Sequence, residues 1–273
     1  MWPRPAAPSR RCLGRALPES PLRWRQEGDL WMLDDPSGPP ARGLIEFIGG
    51  SYLAATPQLS YRRLLEALAR CGWRIHAWSY VPGFDHQDQA LAAWRRFREA
   101  RRRLQPAPSV VMRLGHSLGC KLHLLAPDGG RQADGLAALS FNNFSAERSI
   151  PLLAEMGQQL GFRSEFSPSP QETLVLVERT YRQPRNLLVR FSRDQLDQSS
   201  RLLGVLQARP ADQSRMLDLP GDHLTPASAG LRSNLLGDWA DSPGRGRSIA
   251  ELAEALSSWG CRQAATGRDA WRD

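Results

Sequence analysis

A chain of 273 residues, 41% hydrophobic and 23% charged, holds enough apolar material for one large domain with a full core. No run approaches the ~20 consecutive apolar residues that cross a bilayer, which excludes an integral membrane protein and leaves only peripheral contact open. The formal net charge of +8 raises the question of nucleic acid, but the basic residues are nearly all arginine, with Lys121 the only lysine, a bias of composition rather than of phosphate contact, so no nucleic-acid partner is expected.

Residues 1–25 are rich in Pro and Arg, with no acidic residue before Glu19 and no continuous apolar core of a secretory signal. They read as a disordered extension, a cleaved organelle-targeting peptide being the alternative. Cys12, Cys71, Cys120 and Cys261 lack C-x-x-C pairing, which argues against a zinc site or a disulfide framework and for a reducing, cytoplasmic setting. Asp29 to Leu33 reads as a short edge strand before a turn-rich break. Gly43 to Ile48 is a buried-strand run ending at Gly49-Gly50-Ser51, and Leu59 to Cys71 follows a helix period with Leu64, Leu65 and Leu68 inward. Gly72 ends that helix, and a strand from Trp73 to Tyr80 follows.

A basic helix runs on to about Leu104, with Leu91, Trp94, Phe97 and Leu104 at helical spacing on its apolar side and its arginines solvated. Val110 to Leu114 is the next strand. Directly after it comes Gly115-His116-Ser117-Leu118-Gly119, followed by a helix-compatible run to Ala126. A G-x-S-x-G between a strand and a helix is the nucleophile-elbow pattern, in which a strained turn lifts a serine hydroxyl clear of the sheet. A strand over Gly135 to Phe141 precedes an insertion at about 145–185, expected to form a small helical lid with helices near Ile150 to Leu160 and Gln171 to Tyr181. Strands resume at Asn186 to Phe191 and Arg215 to Leu219, and a helix near Ile249 to Trp259 closes the domain. The rhythm is that of an α/β fold with a mostly parallel sheet and helices on both faces. The domain is taken as 26–265, with 266–273 a tail.

An acyl-transfer serine needs a histidine to take its proton and an acid to orient the imidazole. Both follow in the order Ser, Asp, His. Asp194, directly after the strand ending at Phe191, is the preferred acid, with Asp197 the alternative. His223, in Gly221-Asp222-His223-Leu224-Thr225-Pro226, is the one histidine of five that follows a strand after the acid. His116, His123 and His76 read as structural. The oxyanion needs two backbone donors, one from Leu118 and one from Gly50 or Ser51, although the Gly49-Gly50-Ser51 turn could also be no more than a tight turn. His86 and Tyr52 are candidates for lining the pocket, although a plain polar loop residue is the preferred reading of His86.

From about Leu22 to Leu231 the chain resembles the α/β-hydrolase-like family of cyanobacteria and plastid-bearing plants called domain of unknown function 1350. The segments that carry the resemblance are Phe47-Ile48-Gly49-Gly50-Ser51, Phe84-Asp85-His86, Gly115-His116-Ser117-Leu118-Gly119, Phe141-Asn142-Asn143-Phe144, Arg193-Asp194-Gln195-Leu196-Asp197-Gln198-Ser199 and Gly221-Asp222-His223-Leu224-Thr225-Pro226. The resemblance implies an α/β-hydrolase fold and supports Ser117, Asp194 and His223, but brings no substrate. Where many lipases and esterases carry His-Gly after the strand, this chain reads Ile48-Gly49-Gly50.

The expectation is a serine hydrolase acting on an ester, thioester or amide of a small-molecule acyl substrate, with no metal and no organic cofactor. The rival is a non-catalytic binding or scaffold protein on the same fold. Lid residues Phe144, Ile150, Leu152, Leu153, Met156, Leu160, Phe162 and Phe166 suit an acyl chain, and equally the lid's own core. The sequence leaves the oligomeric state open.

Overall fold

The computed structural model describes residues 22–34, 41–146, 165–227 and 243–261. The centre of its sheet is buried throughout: β3 (Gly43–Ile48) and β5 (Val111–His116) are covered at every position, Glu46, Arg113 and His116 included, as suits parallel strands covered on both faces. Outward from β3 lie β4 (Trp73–Trp78), β2 (Leu30–Asp34) and β1 (Arg23–Glu27); outward from β5 lie β6 (Gly135–Leu139), β7 (Asn186–Phe191) and β8 (Arg215–Leu219). From β4 to β8 the pairing is parallel, and β2 and β1 close one edge with antiparallel pairing.

This order reverses at β3. The chain passes from β3 to β4 on one side and then returns to lay β5 on the other. In an open parallel sheet, the carboxyl ends flanking such a reversal leave a crevice between the two diverging connections. The turn after β3 and the turn after β5, Gly49-Gly50-Ser51 and Ser117, therefore face each other across it.

Alternation along the strands divides the core in two. Ile45, Phe47, Met112, Leu114, Ala137, Leu139 and Val189 pack on the face covered by α2 (Arg62–Arg70) and α7 (Pro243–Cys261). Ile48, Leu136, Ala138 and Leu188 pack on the other, against α3 (His86–Arg102), α4 (Leu118–Leu124), α5 (Pro170–Thr180) and α6 (Ser199–Gln207). The helix expected over Leu59 to Cys71 is broken at Tyr61 into α1 (Pro57–Ser60) and α2, with the Tyr61 ring wholly buried. No described helix is long and apolar enough to cross a membrane.

Four points of the sequence reading need correction. β1 begins at Arg23, inside the stretch expected to be loose; its burial is slight, so no apolar alternation marks it. The inward stripe of α3 is Ala90, Ala93, Phe97 and Ala100, whereas Leu91 and Trp94 are half-buried, because small side chains let α3 lie close against α4. Nor is its basic face simply solvated: Arg96 binds Asp29 at 2.7 Å, Arg103 binds Glu27, and Arg101 reaches the buried Glu46 at 3.4 Å. These arginines clamp the β1–β2 hairpin and the end of α3 to the sheet. Finally, α6 has no counterpart in the sequence reading, because Gly204 and a serine-rich start mask the i, i+4 pair Leu202 and Leu206.

Of the insertion, α5 lies where a second lid helix is expected and starts with a Ser169/Glu172 capping box. The helix expected near Ile150 to Leu160 lies outside the described residues, as do residues 1–21 and the tail at 266–273.

Four histidines are buried: His76 on β4, His86 at the start of α3, His116 and His123. Burial lowers their pKa values, to about 4 for His76 and about 3 for the other three. Unfolded, each titrates near 6.5, so between that pH and the folded values the unfolded chain binds protons that the native state refuses. Stability is therefore expected to fall as pH drops from about 6.5 toward 4, by up to ~1.4 kcal/mol per pH unit for each such histidine. Urea unfolding midpoints at pH 7, 6 and 5 measure this; unchanged midpoints would contradict the neutral buried state.

Candidate active site

Two glycines make the elbow possible. Ser117 follows β5 directly, with φ 54° and ψ −119°, a backbone conformation that L side chains rarely adopt. A Cβ on Gly115 would lie 2.6 Å from the Cys120 amide nitrogen, and one on Gly119 only 2.0 Å from the Ile48 carbonyl oxygen. The first turn of α4 thus sits against the end of β3 at a separation only glycine permits. Ser117 is held in turn by its own N–H, which donates to the Leu139 carbonyl of β6 at 2.9 Å.

The two other expected residues come to this serine from distant strands. Asp194 lies in the turn after β7 and His223 in the loop after β8. Backbone bonds lace these segments together, from Ser192 N–H to Leu219 O (3.0 Å) and from Arg193 N–H to Gly221 O (2.9 Å). The His223 loop is closed by Asp222 and Thr225, each of whose backbone N–H groups bonds to the other residue.

The resulting chain of contacts is direct. His223 Nε2 lies 3.2 Å from Ser117 Oγ, and His223 Nδ1 lies 2.8 Å from Asp194 Oδ2. An ionised carboxylate only accepts, so Nδ1 carries the proton and Nε2 presents its lone pair to the serine hydroxyl. The Asp194 side chain is fully buried. Burial opposes its charge, but the hydrogen bond from His223, aided by the Leu196 amide at 2.8 Å, outweighs it and holds the carboxyl below the usual carboxylate range.

Asp197, the alternative acid, is engaged elsewhere. It accepts from Ser199 N–H at 3.1 Å and Ser199 Oγ–H at 2.6 Å, fixing the start of α6, and burial raises its pKa. His86 is also apart from the triad's hydrogen bonds. Its ring packs at a tilt against Phe166, centroids 4.3 Å apart, and neither ring nitrogen has a hydrogen-bond partner among the described residues. The Tyr52 side chain lies outside the described residues. Lys121, the lone lysine, is buried on α4 with Nζ donating to the Pro168 carbonyl at 2.9 Å, which pins the base of the insertion to the elbow helix.

The oxyanion side is more specific than the sequence indicates. Leu118 opens α4, so its N–H is one of the four that a helix start leaves without an internal acceptor. Gly50 packs against Ser117, since a Cβ there would lie 3.1 Å from Ser117 Cβ. Its N–H is nevertheless taken, donating to Tyr61 Oη at 2.8 Å. Ser51, the other residue expected to donate there, is next in the chain and first in a short 3-10 turn. Sequence reading missed Tyr61 altogether, because an aromatic among the leucines of an amphipathic helix carries no sign of a polar role. No cluster of three or more metal-binding side chains occurs among the described residues.

The elbow strain yields a test. Alanine at position 117 keeps the unfavourable dihedrals, worth of order 1–3 kcal/mol, whereas glycine relieves them and loses about 0.5–1 kcal/mol of unfolded-chain entropy. Ser117→Gly is therefore expected to be more stable than Ser117→Ala by about 1 kcal/mol in urea unfolding. Equal stability, or a more stable alanine variant, would contradict a strained turn.

Residues 23–243 match the model of the family described as protein of unknown function (DUF1350). No curated protein matches the chain. Among solved structures it is similar to the Pyrococcus furiosus esterase Pf2001, at 12% identity, covering 85% of this chain and 84% of the esterase with a TM-score of 0.57. It is also similar to Est1E from Butyrivibrio proteoclasticus (15% identity, 90% and 100% covered, TM-score 0.56) and to an esterase domain from a Rhodothermus marinus protein (19% identity, 85% and 92% covered, TM-score 0.52). At such identities the likeness concerns the fold, which is that of an α/β-hydrolase. With the sheet order, the elbow and the family match in agreement, the chain belongs to the DUF1350 family and has an α/β-hydrolase fold.

Proposed function

We propose that this protein is a serine hydrolase that cleaves an ester, thioester or amide by acyl transfer. The observation that carries this reading is the unbroken run of contacts from Ser117 Oγ through His223 to the buried Asp194 carboxylate. Similarity in fold to esterases, and to a thioesterase domain from the curacin biosynthetic pathway, supports the same class of carbonyl chemistry.

In this reading Ser117 Oγ attacks the carbonyl carbon while His223 Nε2 takes the hydroxyl proton. Asp194 stabilises the imidazolium that forms and keeps Nδ1 as the protonated nitrogen. The charge arriving on the carbonyl oxygen is met by the Leu118 and Ser51 N–H groups, in a crevice where oriented donors count for more than in water. His223 then returns the proton to the leaving group, and water attacks the acyl-serine by the same route. A lipid ester is one substrate class within this reading, but the apolar residues of the insertion, of which Phe144 and Phe166 fall among the described residues, are read first as the insertion's own core.

Two measurements test this. A fluorophosphonate is expected to modify Ser117 alone, identified by peptide mass spectrometry, and to leave Ser117→Ala unlabelled. With a short-chain ester, Asp194→Asn is expected to lower kcat by about 10³–10⁴-fold, because a neutral amide no longer selects the productive imidazole tautomer. A wild-type protein that neither labels nor turns over esters would favour the scaffold reading.

A further inference from the structure

Tyr61 and His116 are both wholly buried, and both are polar. Buried polar groups must find partners inside the protein, and here they find one another and the active-site backbone. Tyr61 Oη lies 2.8 Å from His116 Nδ1 and accepts the Gly50 N–H at 2.8 Å, while His116 Nε2 lies 2.9 Å from the His223 carbonyl oxygen.

The proton positions in this run are determined by chemistry. The His223 carbonyl can only accept, so Nε2 of His116 must carry a proton. Tyr61 Oη already accepts from Gly50, and its own proton goes to Nδ1, the lone pair left on a neutral imidazole. Burial, with the nearby His223, lowers the His116 pKa to about 3, which keeps the ring neutral over the working range. The opposite tautomer would set two acceptors face to face at His223 and leave the tyrosine proton without a partner.

We infer that Tyr61 and His116 form a positioning relay that joins the oxyanion turn to the backbone of the base. This rests on the hydrolase reading above. The relay runs Gly50 N–H to Tyr61 Oη–H to His116 Nε2–H to the His223 carbonyl, so three segments separated in sequence are held in one register. By drawing the Gly50 N–H into the core, Tyr61 fixes the peptide between Gly49 and Gly50, and through the extended backbone of Gly50 (φ −76°, ψ 163°) it orients the next peptide, which carries the Ser51 N–H. By holding the His223 carbonyl, His116 fixes the main chain of the residue whose imidazole must reach Ser117. Space is reserved for this: a Cβ on Gly49 would lie 2.6 Å from the Tyr61 ring. Neither residue hydrogen-bonds to the reacting atoms, although the His116 ring packs beside that of His223 with centroids 5.0 Å apart, and their effect is on geometry that matters when charge develops on the substrate.

The test is a double-mutant cycle on the full chain with a short-chain ester, using Tyr61→Phe, His116→Phe and the pair. Each single variant is expected to lower kcat about 10- to 100-fold with KM within about twofold, because an oriented donor acts mainly in the transition state. The pair is expected to lose about as much as either single variant, since cutting the relay at one point or two has the same result. Unchanged kcat, a loss carried mainly by KM, or losses that multiply in the pair would each overturn the relay. Should the variants not fold, ¹⁵N NMR of the wild-type histidines decides: a neutral His116 protonated at Nε2 supports the relay, and protonation at Nδ1 overturns it. Fluorophosphonate labelling of the wild type, run on the same sample, separates failure of the relay from failure of the hydrolase reading.

Discussion

The feature on which this site depends is the close approach of the first turn of α4 to the end of β3, where a Cβ on Gly119 would sit 2.0 Å from the Ile48 carbonyl oxygen. That approach brings the amino end of a helix, with its uncommitted N–H groups, to the same crevice as the turn after β3. It also forces the chain between β5 and α4 through a left-handed residue, and that residue is Ser117. The strained turn, the position of Ser117 and the helix start beside it follow from one packing contact. The sheet order supplies the rest, because reversal at β3 opens the crevice and places the β7 and β8 loops, with Asp194 and His223, on the same rim.

Polar groups in this region are arranged in two connected runs. The first, Ser117 to His223 to Asp194, has an ionised end and faces the crevice. The second, Gly50 to Tyr61 to His116 to the His223 carbonyl, is neutral and lies beneath it. The two meet at His223, whose side chain belongs to one and whose main chain belongs to the other. A base held only by its imidazole contacts could swing with its loop; one held also by its carbonyl has far less freedom, and pre-organisation of this kind lets a hydrogen bond act without reorganisation.

Much of this was legible in the sequence. The expected bounds of β3, β7 and β8 coincide with those observed, since β3 and β7 are largely apolar, buried strands and the more exposed β8 is marked by Met216, Leu217 and Leu219 between turn residues. Ser117, Asp194 and His223 could be picked out because each follows such a strand. What was hidden depends on contacts between residues far apart in the chain. That Asp194 rather than Asp197 meets His223, and that the Gly50 N–H is taken by Tyr61, could not be read before α6 and Tyr61 were placed. The inward face of α3 was misjudged because alanine carries little hydrophobic signal yet allows the closest packing, and β1 was missed because an exposed edge strand needs no apolar alternation.

The most direct measurement of the central claim is a crystal structure of the protein after reaction with a small alkyl phosphonate. The account predicts phosphorus bonded to Ser117 Oγ, one phosphonyl oxygen about 2.7–3.1 Å from both the Leu118 and Ser51 nitrogens, and His223 Nε2 beside the adduct. An unreacted Ser117, or an adduct whose oxygen meets neither amide, would contradict it.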